Sequence, residues 1–415
     1  MDVRDFDFDL PADLIAQEPA VQRSAARLLH LDRSTGSIAH STIGELPELL
    51  QFGDVVVVNN TRVFPARLLG HRIPSGGAVE CLLVRRLGHL MTGSDPDLTE
   101  SDADLTGSDP NSGPCNSAPA KLLQRETGSD PGPRHFVTGS DPTGARWERH
   151  FLTGSDPAGA RWEALMHPGQ KLRPGARVVF EGMRTVHGEV LEQHFFGRRT
   201  IRLWTDDGSP LDQAIDAIGH VPLPPYIKRD DAAADRDRYQ TIFARHRGSV
   251  AAPTAGLHFT APLVAALRAR GVEVAEITLH VGYGTFQPVR VERVEDHVVE
   301  PEEYEIDSDA ARTINAAVAE RRRLVAVGTT TTRTLEAAAR DGMVSGGRGT
   351  TGLFIYPGFE FRVVGALLTN FHLPRSSLLM LVSAFAGRQA VLAAYDAAIR
   401  ERYRFYSYGD AMLIT

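Results

Sequence analysis

The segment TAPLVAALRARGVEVAEITLHV, which spans Thr260–Val281, indicates how the chain is built. Thr260 is a residue type that caps helix N-termini, Pro262 suits the first helical turn, and Gly271 suits the position just after a helix. The apolar run that starts at Val272 then predicts a strand. A helix followed at once by a strand is the repeating unit of α/β folds.

The same alternation continues to the C-terminus. Its predicted elements are a helix from Ser308 or Asp309 to Arg322, a strand at Leu324–Gly328, a helix from about Thr332 to Arg340, a strand at Val363–Thr369, and helices at Ser377–Ala386 and Arg388–Arg402. We assign the N-terminal runs Arg27–Asp32 and Val55–Val58 to the same sheet. The sequence therefore predicts a discontinuous α/β domain over residues 1–64 and 212–415, with ligands at the carboxyl ends of its strands.

Residues 65–211 interrupt that domain with a different pattern, in which short strands predominate and no helix is predicted. Short apolar or alternating runs separated by Gly and Pro occur at Ala66–Ile73, Ala78–Arg86, Ala176–Phe180, Thr185–Leu191 and Thr200–Trp204. Closely spaced short strands are typical of a small antiparallel barrel or sandwich. We therefore predict an inserted β-barrel domain.

A low-complexity segment over residues 88–163 lies within the predicted barrel domain. The pentapeptide TGSDP occurs five times, starting at Thr92, Thr106, Thr127, Thr138 and Thr153. Gly, Ser, Asp and Pro favour turns and bury little surface, so this segment is predicted to be a disordered insertion in a surface loop. A calcium-binding repeat is the alternative, but the Asp spacing lacks the EF-hand pattern.

Composition favours a soluble, cytoplasmic protein without a membrane span or a disulfide framework. The 415 residues include two cysteines, and the acidic N-terminus does not resemble a signal peptide. The net charge of −7 argues against a nucleic-acid partner, but the segment 88–163 carries −6 of it. Basic clusters such as Lys228-Arg229 and Arg245-His246-Arg247 are therefore open to two interpretations, phosphate contacts or solvated helix ends.

Polar residues concentrate where five predicted strands meet their loops. These segments are Asn59–Arg62, Gly248–Thr260, Thr278–Phe286, Gly328–Glu336 and Thr369–Arg375. Arg62 suits a carboxylate or phosphate, and the threonines after Gly328 suit an anion at a helix N-terminus. Five such loops in one domain predict a shared pocket at one edge of the sheet.

Single histidines occur in or near these loops: His258, His280, His297 and His372. No HxH or HExxH pairing and no neighbouring Cys accompanies them, so we predict no metal site. General acid–base catalysis suits single histidines better, because imidazole titrates near neutral pH. A hydrogen bond to loop backbone is the alternative role for each of them.

The motifs in these loops resemble the S-adenosylmethionine:tRNA ribosyltransferase-isomerase family of queuosine biosynthesis. The matching stretches are VVVVNNTRVFPARLLG (55–70), DRYQTIFA (237–244), GSVAAPTAGLHFT (248–260), ITLHVGYGTFQPV (277–289), AVGTTTTRTLEA (326–337), LFIYPGFEF (353–361), LLTNFHLPRSSLLMLVSAFAG (367–387) and YRFYSYGDAM (403–412). They span nearly the whole chain except residues 88–163. The resemblance implies a discontinuous α/β domain with an inserted small β-barrel, in agreement with the pattern of elements.

The resemblance also implies a reaction. The ribosyl group of S-adenosylmethionine moves to 7-aminomethyl-7-deazaguanine at the wobble position of tRNA and is isomerised, giving epoxyqueuosine-tRNA, adenine and methionine. S-adenosylmethionine is consumed as a substrate, so no cofactor is expected. We expect a monomer without membrane association. The alternatives are a paralogue acting on another nucleoside or RNA, and a non-catalytic RNA-binding relative.

Site residues follow from the motifs and from the loops together. The catalytic candidates are His258, His280, Asp296 and His297. The substrate-binding candidates are Asn60, Arg62, Thr254, Tyr283, Thr285, Thr330, Arg333, Asn370 and His372. The chain departs from the family pattern at Tyr283, at Thr331-Thr332 and over Val298–Glu303, which leaves the acceptor open.

Overall fold

The computed structural model describes residues 1–88, 159–286 and 289–415. Its strands are β1 Arg27–Leu31, β2 Ile38–Thr42, β3 Val55–Asn59, β4 Thr61–Val63, β5 Arg67–Ile73, β6 Ala78–Leu87, β7 Ala160–His167, β8 Arg177–Phe180, β9 Val186–Gln193, β10 Arg198–Trp204, β11 His246–Ser249, β12 Glu273–Leu279, β13 Glu302–Ile306, β14 Leu324–Val327, β15 Ala339–Arg340, β16 Met343–Val344, β17 Gly347–Thr351, β18 Ala366–Asn370 and β19 Ala411–Ile414.

The helices alternate with strands in the C-terminal half. They are α1 Leu46–Leu49, α2 Leu211–Ile218, α3 Asp235–Arg238, α4 Ala261–Ala269, α5 Ser308–Ala319, α6 Thr329–Ala338, α7 Ser377–Ala386 and α8 Arg388–Arg400. Short 3-10 helices lie at Val3–Phe6, Ala12–Leu14, Arg23–Ala25, Ile43–Glu45, Gly169–Lys171, Phe195–Gly197, Thr254–His258, Tyr283–Phe286 and Val294–Asp296.

Within the described residues the main sheet has nine strands in the order β17-β13-β12-β3-β14-β18-β19-β1-β2. Its central strand β3 reads VVVVN and is buried along its whole length, as expected for a β-branched strand covered on both faces. Val55 and Val57 pack towards α5–α8, whereas Val56 and Val58 pack towards α1 and α4. The predicted α/β class is therefore confirmed.

The predicted helix in the segment quoted first is present, and a second helix differs from its prediction. Thr260 caps α4, and its hydroxyl accepts a hydrogen bond of 3.3 Å from the N–H of Leu263. α6 begins at Thr329 and not near Thr332, because Gly328 turns the chain with a φ of 90° directly after β14. That left-handed conformation suits glycine alone without strain. The four threonines therefore form the first turn of α6.

A closed antiparallel barrel, with strand order β10-β7-β6-β5-β8-β9, confirms the predicted barrel and excludes the sandwich. Along β7 the side chains of Ala160, Trp162, Ala164 and Met166 alternate into the barrel interior. The predicted bounds of the insertion, residues 88–163, are wrong at the C-terminal end, because β7 already begins at Ala160. Residues 160–163 are the start of β7. Their side chains alternate between buried and more exposed, and the strand pairs with β6 and β10 of the barrel.

The repeats themselves lie outside the described residues, and the domain boundaries remain predictions. At the root of the insertion, β6 and β7 form an antiparallel pair in which Leu87 is opposite Arg161. The two ends of the insertion are therefore held as neighbouring strands.

In the described ranges, no single helix is both long and apolar enough to cross a bilayer. α7 and α8 reach that length only together, and a bend of 114° separates them.

Candidate functional site

The carboxyl ends of four parallel strands meet at one edge of the main sheet. β12, β3, β14 and β18 lie side by side and parallel, and their last residues are Leu279, Asn59, Val327 and Asn370. Four of the five polar loops predicted from sequence start at this edge. The fifth, Gly248–Thr260, is attached to it by a backbone hydrogen bond of 3.0 Å from Val250 to Val281. This edge is where open α/β sheets bind ligands.

A cavity of about 560 Å³ lies between this edge and the barrel. The barrel side supplies Trp162 and Arg198, and the sheet side supplies His280, Gly282 and Glu302. A volume of several hundred Å³ with a few converging polar groups is typical of a site for a nucleoside-sized ligand.

His280 follows β12 and is the imidazole that lines this cavity. Its Nδ1 lies 2.8 Å from the hydroxyl of Thr61, and Thr61 Oγ1 also lies 2.8 Å from Ser249 Oγ. Ser249 accepts a hydrogen bond of 2.7 Å from the N–H of Val281, and Thr61 donates to the carbonyl of His246 at 3.3 Å. Partial burial lowers the pKa of His280, so its ring is neutral near pH 7.

The ring of His280 packs flat on the backbone of Gly248. A Cβ at that position would lie 2.6 Å from Nδ1 and Cε1 of the imidazole, closer than such atoms ever approach. The glycine that opens GSVAAPTAGLHFT is therefore required for the placement of the histidine. Two motifs that are separate in sequence build one feature of the site.

A smaller cavity of about 40 Å³ lies at the ends of β14 and β18. The predicted residues Thr254, Thr330, Asn370 and His372 all line it. Val281 lines both this cavity and the large one, so the two adjoin.

His258 and His372 support the wall of the small cavity. Nε2 of His258 lies 3.3 Å from Nδ2 of Asn370, and Nε2 of His372 lies 3.3 Å from the hydroxyl of Thr369. Both rings are buried, and burial lowers the pKa of His258 to about 4 and that of His372 to about 3. Both are neutral across the physiological range.

Arg333 is engaged by protein groups. Its Nη1 forms a buried ion pair of 2.6 Å with Glu302, and its Nε donates to the carbonyl of Leu353 at 3.0 Å. The other carboxylate oxygen of Glu302 accepts the N–H of Gly282 at 2.8 Å. Arg333 thus fixes Glu302, which in turn fixes the loop after His280.

His297 belongs to a third cavity of about 70 Å³. Its ring contacts Phe354 edge-on with centroids 4.9 Å apart, and partial burial lowers its pKa. Gly284 lines both this cavity and the large one. His297 is therefore a neighbour of the His280 site and not part of its wall.

Three predicted residues lie away from these cavities. Arg62 is exposed on β4, and Asp296 is exposed in a 3-10 turn. Asn60 is buried, where its amide donates to Glu276 at 3.2 Å and accepts from the Thr278 hydroxyl at 2.7 Å. Those bonds hold the ends of β3 and β12 together.

Two predicted residues follow β12 directly. Tyr283 lines a separate cavity of about 480 Å³ beside the barrel, together with Arg67 and Val250. Thr285 lies in the same 3-10 turn, and its side chain falls outside the described residues.

Sequence reasoning did not single out the residues that organise His280. Thr61 and Ser249 stood inside quoted motifs but carried no role, and Glu302 stood in the segment that departs from the family. Trp162 was assigned to the repeat segment. Only the pairing of β4 with β11 brings Thr61 close to Ser249, so no local pattern identifies this network.

Across the described residues, no group of three or more His, Cys, Asp and Glu side chains is arranged to hold a metal ion. Cys81 is buried in the barrel, and burial raises the pKa of its thiol, so it is not a nucleophile.

Comparisons with known proteins show which family the chain is similar to. The sequence model of the family described as Queuosine biosynthesis protein matches residues 3–106 and 133–414. An S-adenosylmethionine:tRNA ribosyltransferase-isomerase of Solibacter usitatus is 45% identical over 100% of both chains. The protein of the same name from Desulfitobacterium hafniense is 43% identical, again over 100% of both chains.

A crystal structure of S-adenosylmethionine tRNA ribosyltransferase from Thermotoga maritima is also similar. It is 32% identical, with 99% of this chain and 100% of that chain covered and a TM-score of 0.47. The family match and the full-length identities lead to one conclusion: the chain belongs to the queuosine biosynthesis protein family.

Proposed function

We propose that this chain is an S-adenosylmethionine:tRNA ribosyltransferase-isomerase, a transferase and isomerase that uses S-adenosylmethionine and tRNA as substrates. The names of its full-length relatives support this activity. The acceptor we propose is 7-aminomethyl-7-deazaguanine at the wobble position, and the products are epoxyqueuosine-tRNA, adenine and methionine. We further propose that it acts as a monomer in the cytoplasm, where tRNA is modified.

The observation that carries the proposal is the placement of His280. Its imidazole lies at the carboxyl edge of the sheet and faces a cavity of about 560 Å³ whose far wall is the barrel. Such a cavity accommodates a nucleoside extruded from the anticodon.

The proposed reaction begins with the removal of a proton from C5′ of S-adenosylmethionine. The positive sulfur of S-adenosylmethionine acidifies the adjacent C5′–H, and a base that removes this proton starts the elimination of adenine. A neutral imidazole facing the cavity is suited to that role. The lowered pKa of His280 keeps it in the base form at pH 7.

The hydrogen-bond network favours one tautomer of His280. If Nδ1–H donates to Thr61, the Thr61 hydroxyl is free to donate to the His246 carbonyl, and Ser249 donates to Thr61. Every donor in this network is then used, and Nε2 is the ring nitrogen that carries the lone pair. This assignment of protons follows from the network, as tautomers generally do.

The same histidine can complete the elimination. Once it has accepted the C5′ proton it is an imidazolium, which protonates the departing adenine. The nitrogen of the aminomethyl group then forms a C–N bond to the ribosyl fragment and loses a proton to solvent. The fragment recloses as the epoxide of epoxyqueuosine while the C5′–S bond breaks, so methionine leaves as a neutral thioether. We assign positioning roles to His258 and His372, because burial keeps both uncharged and their contacts hold Asn370 and Thr369.

Arg62 extends the site towards the nucleic acid. It is exposed on β4 and is paired in register with Arg247 of β11, which lines the large cavity. We assign Arg62 to a phosphate of the tRNA, since exposed arginines beside a base-binding cavity position the backbone. Asp296 and His297 remain catalytic candidates, although neither lines the large cavity.

The test is a product assay on precursor-modified tRNA. Incubation with S-adenosylmethionine, followed by nuclease digestion and mass spectrometry, is expected to show epoxyqueuosine nucleoside. Unmodified tRNA with guanine at the wobble position is the control, because it lacks the aminomethyl nucleophile. Product on another nucleoside would favour the paralogue, and salt-dependent tRNA binding without any product would favour the RNA-binding relative.

A further inference from the structure

The small cavity at the ends of β14 and β18 contains two buried polar atoms without partners. Thr330 is 6% exposed and Asn370 is 3% exposed. Among the described residues, no group forms a hydrogen bond with Thr330 Oγ1 or Asn370 Oδ1. Buried polar atoms of this kind cost free energy unless something pairs with them, so both atoms point to a ligand.

The amide of Asn370 is oriented by its own contacts. Its Nδ2 donates to the carbonyl of Tyr406 at 3.1 Å and lies 3.3 Å from Nε2 of His258. Since these neighbours accept hydrogen bonds, the oxygen Oδ1 is the free end. The Asn370 side therefore requires a hydrogen-bond donor from a ligand.

The Thr330 side offers donors. Gly328, Thr329 and Thr330 line the cavity at the N-terminus of α6, and no side chain caps that helix. The first N–H groups of a helix of 10 residues, together with its dipole, favour an anionic oxygen. The hydroxyl of Thr330 adds one more donor at the same end.

The volume of the small cavity limits which ligand group fits between Thr330 and Asn370. One water needs roughly 10–15 Å³ of such volume, so a cavity of about 40 Å³ admits only a few heavy atoms and not a purine. An α-amino acid end has the required parts, with a carboxylate for α6 and an ammonium for Asn370. Val281 borders both cavities, so a group held here lies next to the large one.

We propose that this cavity binds the α-carboxylate and α-ammonium of the methionyl group of S-adenosylmethionine, with Thr330 and the N-terminus of α6 on the carboxylate and Asn370 Oδ1 on the ammonium. This assignment rests on the proposed function. It leaves the nucleoside in the large cavity beside His280. In this arrangement the enzyme also binds the part of the substrate that departs as methionine.

The test measures equilibrium binding to the full chain by calorimetry. The probes are S-adenosylmethionine, its decarboxylated analogue, and an analogue that lacks the α-ammonium. We expect the wild-type protein to bind both analogues at least about tenfold more weakly than S-adenosylmethionine. Equal affinity for all three would overturn the proposal without any variant being made.

Variants of Thr330 test whether the α-carboxylate of S-adenosylmethionine binds at the N-terminus of α6. Thr330→Val should weaken S-adenosylmethionine about tenfold but leave the affinity for the decarboxylated analogue within about twofold, and Thr330→Ser should restore binding. Thr332→Val is the matched control, because its hydroxyl donates to the Gly328 carbonyl within the same helix turn and does not line the cavity. An equal loss for both ligands in Thr330→Val would contradict the assignment.

The two proposals fail in different ways. Wild-type protein that binds S-adenosylmethionine and releases adenine, but does not discriminate against the analogues, refutes the methionyl subsite alone. Wild-type protein that does not bind S-adenosylmethionine refutes the proposed function and the subsite together.

Discussion

The hydroxyl of Thr61 lies 2.8 Å from Nδ1 of His280. Thr61 stands on β4, directly after the central strand of the sheet, and His280 follows the neighbouring strand β12. The contact therefore ties together two strand ends that approach only in the folded α/β domain. It sets the orientation of the imidazole towards the large cavity.

Removal of the Thr61 hydroxyl should impair turnover. Thr61→Val keeps the shape of the side chain but leaves Nδ1 of His280 without its partner, so the ring loses its preferred tautomer and orientation. We expect kcat to fall roughly 10- to 100-fold, because small misplacements of a catalytic group cost about that much. Steady-state kinetics with precursor-modified tRNA measures the effect.

Thr61→Ser is the matched control, since it retains the hydroxyl. Its pH–rate profile should keep an acid limb below pH 6.5, because the pKa of His280 is lowered and the base form is lost only under acidic conditions. A Thr61→Val enzyme with normal kcat would exclude the positioning role.

Loss of the Arg333–Glu302 pair should destabilise the fold. Both side chains are 6% exposed, so Arg333→Met leaves a buried carboxylate without its cation. We expect the free energy of unfolding to fall by about 3–5 kcal/mol, as measured for broken buried ion pairs. Denaturant titration determines the change.

The double variant Arg333→Met, Glu302→Gln should recover part of that loss, since no charge then remains unpaired. If the Arg333→Met protein has the same free energy of unfolding as the wild type and only its KM is raised, Arg333 binds substrate, which is the role that the sequence predicts for it.

Stability should depend on pH through the buried histidines. The pKa of His258 is about 4 in the folded state and about 6.5 when unfolded, and that of His372 is about 3 when folded. The unfolded chain thus binds more protons below pH 6.5, and the free energy of unfolding decreases as the pH falls from 6.5 towards 4. Thermal midpoints at pH 7.5, 6.0 and 5.0 should decline in that order.

His258→Gln is the variant that separates the contributions, because it removes one titrating ring. Its midpoint is expected to change less between pH 6.5 and 5 than that of the wild type. Parallel pH profiles for the two proteins would show that His258 is not responsible.

The repeat segment should be dispensable for the reaction. Leu87 and Arg161 face each other across β6 and β7, so a loop of a few residues can replace residues 89–158 and close a hairpin. We expect the shortened protein to retain its thermal midpoint and its kcat. A loss of tRNA affinity with unchanged S-adenosylmethionine binding would instead assign the repeats to the nucleic acid.

Much of the fold was predictable because local signals agreed with it. Thr260 with Pro262 marked the start of α4, and the run of four valines before Asn59 marked a strand buried on both faces. The end of the insertion was not predictable in the same way. ARWE at Ala160–Glu163 repeats letters found earlier in the chain, and only pairing with β6 and β10 makes it a strand.

The position of the candidate loops in the fold was predictable, whereas the contacts of their side chains were less so. Loops rich in Gly, Thr and His lie at the carboxyl edge of the sheet, where the alternation of helices and strands predicts them. Arg333 looked like an anion ligand because it follows the start of a helix, but burial beside Glu302 gives it a protein partner. Thr61 and Ser249 gave no local signal, because their contact with His280 depends on β4 and β11 lying in register.

Release of adenine is the most direct measure of the central claim, that His280 starts the reaction as a base. Wild-type protein with S-adenosylmethionine and precursor-modified tRNA should release adenine and methionine in equal amounts. His280→Gln should release neither, while its thermal midpoint and tRNA affinity stay close to wild type, since the ring is only partly buried. Adenine release by His280→Gln at a wild-type rate, or its absence from the wild-type reaction, would contradict the account.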